Sequence, residues 1–328
     1  MEKDKQYLQD FLNKNRSKKG YKAVISSPLR YAGGKTKAVC LLLENLPLLK
    51  EKKIISPFFG GGSVELCLAN YLGFEVKGYD IFGMLSNFWN VLKTEKKMFI
   101  EELKKMNVNK EDFTKYRHIL LAYWETIKPN DLIYNTKNKI DLTEEEQILL
   151  INNPVLQAVY YYYNMSLCYG PMFLGWPSSH EINPEKFERR IQKLQSFKMN
   201  NVSVECLGFE VSIPKHNEEF LFLDPPYYLG EDSKMFKGMY PNCNFAIHHN
   251  NFDHDKLADL LKKHKGGFLL TYNNCAKIRE LYKDYKHIFP QWQYSYGQGE
   301  TRIGDNRKET NSCSKESHEI IIICPPII

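Results

Sequence analysis

The sequence predicts an α/β protein in which a doubly wound sheet is interrupted by an inserted helical lobe. Three features of the 328 residues support this prediction. Strand-like and helical runs alternate near both ends of the chain, a glycine turn joins an early strand to its helix, and helical patterns dominate a long middle stretch.

The first half of the sheet is predicted from residues 52 to 80. An apolar run in KKIISPFF is followed by a glycine turn at Gly60 to Gly62. An amphipathic helix that ends at Gly73 comes next, and then a second strand that ends on Asp80. Upstream, residues 1–25 predict a charged helix and a linker, and TKAVCLLLENLPLL has helical periodicity. This succession is typical of a doubly wound nucleotide-binding sheet: a strand, a glycine loop, a helix and a second strand that ends in an acid.

The middle of the chain predicts a separate helical lobe. Helical patterns fill EKKMFIEELKKMN, NPVLQAVYYYYNMSL and PEKFERRIQKLQSF, and strand patterns return in VSVECLGF, EFLFLDPPYY, GGFLLTYN and HEIIIICPP. We therefore predict an extension at 1–25, a sheet domain formed by 26–83 and 216–328, and a helical lobe at 84–215.

Composition restricts the possible function classes. The net charge of +6 and the pI of about 8.7 are compatible with a polyanionic partner. The eight cysteines include no C-x-x-C pair, so we expect neither a zinc site nor a disulfide framework. A charged N-terminus and the lack of any run of about 18 apolar residues predict a cytoplasmic protein without a membrane span.

Two conspicuous groups of residues are expected to be structural or solvated. The four tyrosines at 160–163 cannot all face one direction on a helix, so most of them should lie in the core. His248, His249 and His254 lack firm ligand spacing, and we interpret them as solvated loop histidines and predict no metal site.

The string RYAGGKTK, residues 30–37, ends like a phosphate-binding loop. The complete loop needs a glycine five positions before Gly34, after a hydrophobic strand. That position is Leu29, and the segment before it is broken by Pro28. ATP hydrolysis is therefore not predicted, and the glycines and the lysine of this string need another role.

The string FLFLDPPYYLG carries the strongest chemical signal. Its apolar strand stops at Asp224-Pro225-Pro226-Tyr227, and ligands of open α/β sheets bind where strands end. The two prolines remove amide donors, so a carboxylate and a free carbonyl lie side by side as acceptors for an exocyclic amino group. Tyr227 offers a flat face for a heterocycle. The alternative interpretation is a plain strand-ending turn.

The glycine loop predicts a nucleoside-binding site. Glycines between a strand and a helix allow a ligand to approach the backbone, and helix N-terminal amides favour a carboxylate or phosphate. Asp80 ends the next strand and can accept hydrogen bonds from two ribose hydroxyls. The alternative is a tight turn without a ligand.

Four strings, RYAGGK, PFFGGG, GYD and DPPY, occur in that order with a helical insert before the last. This set resembles the Dam-like, alpha-class DNA adenine-N6 methyltransferases over about residues 26 to 325. The resemblance implies a Rossmann-like class I sheet that uses S-adenosyl-L-methionine, with the inserted lobe as the target-recognition region. The resemblance also implies double-stranded DNA as the partner and a cognate restriction endonuclease in the same system. The protein itself would be a monomer or a weak dimer.

For the cofactor, the resemblance implies that Gly60 and Gly62 allow its methionine end to approach the backbone. Asp80 would hold the ribose.

Around them, Tyr31, Phe59 and Ile81 would form walls for the adenine and the sulfonium. Gly33 and Lys35 of the first string would complete the site, with Lys35 either reaching the cofactor carboxylate or only capping a surface turn. One departure concerns Ser56, because the family has an acid at this position that contacts the methionine amino group.

For the reaction, the resemblance implies that the target adenine flips out of the duplex. Asp224, which would also border the cofactor, and the Pro225 carbonyl would accept hydrogen bonds from its N6 amino group. Pro226 would keep the turn rigid, and Tyr227 would stack on the base. Positioning would carry most of the rate, because the amine can lose its proton after methyl transfer.

For DNA binding, the helical lobe contains the string NMSLCYGPMFLGWPSS. This string retains only the asparagine and glycine spacing of the family's recognition string. We expect contacts from Asn164 and Tyr169 of this string and from Arg302, Arg307 and Lys308 of a late polar loop, for which a solvated loop is the alternative.

Three rival functions remain open from the sequence: methylation of cytosine N4, methylation of RNA adenine, and a catalytically inactive DNA-binding module. Asp224 argues against the first, because cytosine-N4 enzymes usually have serine there. The order of the motifs favours duplex DNA, and the intact DPPY and GGG strings argue against an inactive module.

Overall fold

The structure is a computed structural model that describes residues 2–18, 20–24, 27–127, 143–170, 173–228, 230, 252–290 and 319–326. The described helices are α1 (Glu2–Asn15), α2 (Val39–Glu44), α3 (Ser63–Leu72), α4 (Gly83–Thr94), α5 (Lys96–Lys104), α6 (Lys110–Ile127), α7 (Glu144–Asn152), α8 (Pro154–Leu167), α9 (Pro184–Ser196), α10 (Phe209–Lys215), α11 (His254–Lys263) and α12 (Ala276–Leu281). None of them has the length and apolarity that crossing a membrane requires.

Two sheets are present in the described part of the chain. The smaller one pairs β1 (Arg16–Ser17) with β2 (Gly20–Tyr21). The larger one contains β3 (Lys53–Ser56), β4 (Glu75–Asp80), β5 (Val202–Cys206), β6 (Leu221–Leu223), β7 (Phe268–Asn273), β8 (Lys286–Ile288) and β9 (Glu319–Cys324). Its order is β5-β4-β3-β6-β7-β9-β8.

The larger sheet confirms the predicted α/β, doubly wound fold. Every pairing is parallel except those of β9, which runs antiparallel to β7 and to β8. From β3 the chain winds outward through β4 to β5, and on the other side it winds through β6 to β7. The strand order therefore reverses between β3 and β6, and such a switch point leaves a crevice at the carboxyl ends of the strands.

Helices on both faces cover the sheet, which explains the continuous apolar run at the end of the chain. In β9, Ile321 and Ile323 pack into one hydrophobic cluster while Ile320 and Ile322 pack into the other. A strand that is buried on both faces needs apolar side chains at successive positions.

The middle of the chain is helical as predicted, and capping residues set where its helices begin. The side chains of Asn153 and Asn183 accept hydrogen bonds from the third residue of α8 and α9 respectively, and a proline occupies the first turn of each helix. Within α8, Tyr161, Tyr162 and Tyr163 are at most 1% exposed, which confirms that most of the tyrosine run belongs to the core.

The end of the predicted lobe needs a correction. β5 pairs with β4 in the sheet, and Phe209 and Ile213 of α10 pack into the cluster on one sheet face. The sheet layers therefore resume at Val202, before the predicted boundary at 215. The division of labour between a catalytic sheet and a recognition lobe stays a prediction.

Candidate active site

Three residues that end neighbouring strands lie at one edge of the sheet. Ser56 is the last residue of β3, Asp80 is the last residue of β4, and Asp224 follows β6 directly. β3 pairs in parallel with both β4 and β6. The glycine loop and the DPPY string, far apart in the chain, therefore meet at the switch point of the sheet.

The glycine loop is held in a conformation that allows close backbone approach. Gly62 caps α3 with a φ of +63°, and a Cβ at this position would lie 2.8 Å from Cε1 of Phe59. The Gly60 N–H donates to Asp80 Oδ2 at 2.9 Å, and the indole N–H of Trp89 donates to the Gly60 oxygen at 3.0 Å. Trp89 was not among the predicted residues, and it fixes the loop from α4.

Asp80 lies between this loop and the start of α4. Its Oδ1 accepts the Phe82 N–H at 2.9 Å, and its Oδ2 accepts that of Gly60. Burial raises the pKa of Asp80 to about 6, although the two amides stabilise the charged form. Each carboxylate oxygen can accept a second hydrogen bond, as a ribose diol requires.

The three predicted wall residues occupy different environments. Tyr31 packs its ring against the loop, where a Cβ at Gly61 would lie 2.6 Å from Tyr31 Cβ. Ile81 is 57% exposed. Phe59 is 2% exposed, and its ring contacts that of Trp89 edge-on with 5.4 Å between the ring centres. Phe59 therefore supports the loop from within the core and does not form a wall that faces a ligand.

Lys35 enters the site from the RYAGGK string. Its ammonium lies 2.8 Å from both carboxylate oxygens of Asp224 and donates to the Gly33 oxygen at 3.1 Å. It also lies 4.9 Å from the centre of the Tyr227 ring. Lys35 is 4% exposed, which excludes a role as the cap of a surface turn.

The strands beside β6 hold the DPPY string in place. Thr271 on β7 donates to Asp224 Oδ1 at 2.7 Å, and the Asn273 amide bonds to both the N–H and the oxygen of Tyr228 at 2.9 Å. The Tyr227 hydroxyl donates to the buried Glu319 on β9. Sequence reasoning missed these three supporting residues, although polar side chains in otherwise apolar strands were a usable signal: Thr271, Asn273 and Glu319.

A buried acid lies beside the predicted departure at Ser56. The Ser56 hydroxyl donates to Glu65 Oε1 at 2.7 Å, and the two residues are 0% and 3% exposed. The pKa of Glu65 is raised to about 7: burial is the largest cause, the Ser56 hydrogen bond opposes it, and the carboxylate of Asp224 adds to it. Glu65 lies in the first turn of α3 and is the charged residue in the otherwise uncharged helix SVELCLANYL.

The predicted DNA contacts differ in their exposure to solvent. Tyr169 is 71% exposed, and its N–H donates at 2.7 Å to the oxygen of Trp176, an aromatic residue that is itself 55% exposed. Asn164 is 1% exposed, and its Oδ1 accepts the Leu174 N–H at 2.8 Å. This placement argues against a direct DNA contact by Asn164 and gives it a bracing role. The remaining predicted contacts lie outside the described residues: Arg302, Arg307 and Lys308.

The interpretation of the histidines is wrong for His254. This residue begins α11, is 9% exposed and lies 2.6 Å from the Tyr272 hydroxyl. Burial lowers the pKa of His254 to about 4, so it is a neutral core side chain and not a solvated loop histidine. His248 and His249 lie outside the described residues.

Comparison with known proteins agrees with this geometry. The family model of the D12 class N6 adenine-specific DNA methyltransferases matches residues 31–296. The chain is also 29% identical over 269 residues to the Type II methyltransferase M.MjaIII of Methanocaldococcus jannaschii. The aligned residues cover 76% of this chain and 84% of that protein. Both findings confirm the resemblance that the four ordered strings indicated.

Proposed function

The chain belongs to the D12 class of N6 adenine-specific DNA methyltransferases, and we propose that it takes the methyl group from S-adenosyl-L-methionine bound at the carboxyl edge of the sheet. Methylation of adenine N6 in DNA follows from the family. The identity of the methyl donor, the roles of individual residues and the partners are the proposed part.

One observation carries the proposal: Asp80 and Asp224 flank a glycine loop at the switch point of the sheet. S-adenosyl-L-methionine has a ribose diol, a cationic sulfonium and an amino acid end. A carboxylate with free acceptor capacity suits the diol, and acids and aromatic faces suit a cation. The residues present therefore fit this cofactor.

On this proposal the protein binds and orients the donor through three groups of residues. The backbone at Gly60 and Gly62 accepts the close approach of the methionine end, Asp80 accepts the ribose hydroxyls, and Tyr31 and Ile81 border the nucleoside. When bound, the cofactor supplies an electrophilic methyl group on its sulfonium.

The adenine would be positioned by the DPPY string. Asp224 and the Pro225 carbonyl accept hydrogen bonds from the N6 amino group, which direct the nitrogen lone pair toward the methyl group. Pro225 and Pro226 contribute no competing N–H donors. Lys35 and Thr271 support this role, because their hydrogen bonds fix the orientation of the Asp224 carboxylate.

Tyr227 would stack on the flipped base, and its hydroxyl bond to Glu319 supports this role by fixing the plane of the ring. Exposed aromatic side chains in the lobe would contact the DNA itself, with Tyr169 and Trp176 as the candidates. Arg302, Arg307 and Lys308 stay proposed phosphate contacts.

The name of the archaeal relative, a Type II methyltransferase, supports a place in a restriction–modification system. We propose that the chain modifies one short DNA sequence in the cytoplasm, that a cognate restriction endonuclease accompanies it, and that it acts as a monomer or weak dimer.

The experiment is mass spectrometry of nucleosides from unmethylated plasmid DNA that has been incubated with the purified protein and S-adenosyl-L-methionine. Asp224→Ala is the test variant, and Asp259→Ala, an exposed acid on α11, is the matched control. We expect 6-methyladenine with the wild type and the control but not with Asp224→Ala. An unchanged yield with Asp224→Ala would refute the role of Asp224, and 4-methylcytosine would refute the assignment of the base.

A further inference from the structure

The side chain of Glu65 returns to the strand edge where Ser56 lies. The two residues are nine positions apart, and the glycine loop between them reverses the chain so that α3 begins against the end of β3. The Ser56 hydroxyl then fixes one oxygen of the Glu65 carboxylate at 2.7 Å. An acid is therefore present at the end of β3, although the strand itself ends on serine.

Among the described residues, the groups that influence the Glu65 carboxylate most strongly include no cation. The groups with the largest influence on its ionisation are the Ser56 hydroxyl, the backbone amides of Val64 and Glu65, and the carboxylate of Asp224. None of these is a cation, and Asp224 repels a second negative charge. Lys35, an ammonium group at this edge, is bound to Asp224.

We propose that Glu65, oriented by Ser56, binds the α-ammonium group of the cofactor's methionine end. This inference rests on the proposed use of S-adenosyl-L-methionine. A buried carboxylate with a polar neighbour and no paired cation is matched by a primary ammonium, which brings one positive charge and three N–H donors. That charge also compensates the repulsion between Glu65 and Asp224.

The sequence supports the same assignment from a different direction. The family resemblance implies an acid at the position of Ser56, whereas in this chain serine occupies that position and α3 contributes the carboxylate. The two residues together supply what a single acid would supply at the strand end. Ser56 is then a positioning residue, and Glu65 is the group that touches the ligand.

The test compares two ligands that differ only in the amino group: S-adenosyl-L-homocysteine and its deaminated analogue, S-adenosyl-4-thiobutyrate. Titration calorimetry at pH 8 gives the ratio of their dissociation constants. We expect the wild type to prefer the amine by roughly tenfold or more, as the loss of one charge-assisted hydrogen bond predicts. Glu65→Gln should reduce this preference to about twofold or less, with the affinity for the analogue unchanged.

The matched control is Glu219→Gln. Glu219 precedes β6 at the opposite edge of the same sheet, where it pairs with His216 and Lys53, so its neutralisation should leave the preference intact. A rescue variant, Ser56→Asp combined with Glu65→Gln, returns the carboxylate to the strand and should restore the preference. Unchanged affinity for the deaminated analogue shows that Glu65→Gln still folds.

The outcomes distinguish this inference from the proposed cofactor. If the wild type binds neither ligand, the proposed methyl donor is wrong. If the wild type prefers the amine and Glu65→Gln keeps that preference, the role of Glu65 is refuted. An equal loss of affinity for both ligands in Glu65→Gln would also refute it, because a group that only supports the loop does not distinguish the amine from its analogue.

Discussion

Glu65→Gln is expected to stabilise the ligand-free protein at neutral and alkaline pH. The substitution keeps the shape of the side chain and an oxygen that accepts the Ser56 hydroxyl, but it removes a negative charge from a site that is 3% exposed. A buried carboxylate without a paired cation destabilises the folded state once it ionises.

The magnitude follows from the two pKa values of this carboxyl group. In the unfolded chain the pKa is near 4.5, and burial raises it to about 7 in the folded protein. Between these values the folded state holds the proton more tightly, so the stability of the wild type falls as the pH rises through this window and is constant above it. One pKa unit corresponds to about 1.4 kcal/mol, so the loss amounts to about 3 kcal/mol.

The assay is urea unfolding followed by circular dichroism for both proteins between pH 4.5 and pH 8.5. The difference in free energy of unfolding, variant minus wild type, should rise by about 3 kcal/mol across this range. Asp80 also has a raised pKa, of about 6, but it is present in both proteins and cancels from the difference.

A difference that does not change with pH would refute the reasoning, because it would mean that ionisation of Glu65 does not destabilise the folded state. A difference that falls with rising pH would mean that the charge is compensated by a cation. Glu219→Gln provides the comparison, since that carboxyl group is one-third exposed and its pKa lies below its ordinary range through its contact with His216.

Three further substitutions test the support of the site. Gly78→Ala would place a Cβ 2.2 Å from Cδ2 of the buried Phe59, so we expect a loss of about 1–3 kcal/mol, measured by thermal unfolding. Thr271→Val removes the hydroxyl that orients Asp224, and kcat for methylation should fall roughly tenfold while the protein stays folded. Tyr227→Phe leaves the buried acceptor on β9 without this donor, which should cost about 1–3 kcal/mol in urea unfolding.

Each of these substitutions has a matched control. Gly83→Ala adds a Cβ whose nearest neighbour is Cys206 Sγ at 3.8 Å, an ordinary contact, so its melting temperature should equal that of the wild type. Thr126→Val on α6 and Tyr7→Phe on α1 change exposed residues and should have no effect. Equal melting of Gly78→Ala and Gly83→Ala, full kcat in Thr271→Val, or full stability in Tyr227→Phe would each contradict the corresponding contact.

Local patterns were sufficient for most of the fold. The helix that Gly73 closes, the strand that ends on Asp80 and the strand before Asp224 all lie where periodicity and turn residues predicted them. The end of the lobe was less well predicted. The segment from Val202 to Lys215 joins the sheet layers through pairing with β4 and packing on its face, and neither contact is visible in a local pattern.

Side-chain environments were harder to predict than side-chain positions. Asn164 and His254 were expected to be accessible, but a neighbouring backbone amide and a tyrosine hydroxyl bind them inside the core. Phe59 was expected to face a ligand and instead fills the space beside Gly78. Burial depends on which elements pack against a residue, and a single sequence contains no direct record of that.

The sequence by itself determined the class of this protein, because its chemistry resides in short strings whose order and spacing are visible along the chain: RYAGGK, PFFGGG, GYD and DPPY. Only the tertiary structure decided which of these strings touch. The ion pair of Lys35 with Asp224 joins residues 189 positions apart, and the bond of Tyr227 to Glu319 spans 92 positions. Such contacts arise from the order of strands in the sheet, and that order brings distant strand ends to one edge whatever their separation in the chain.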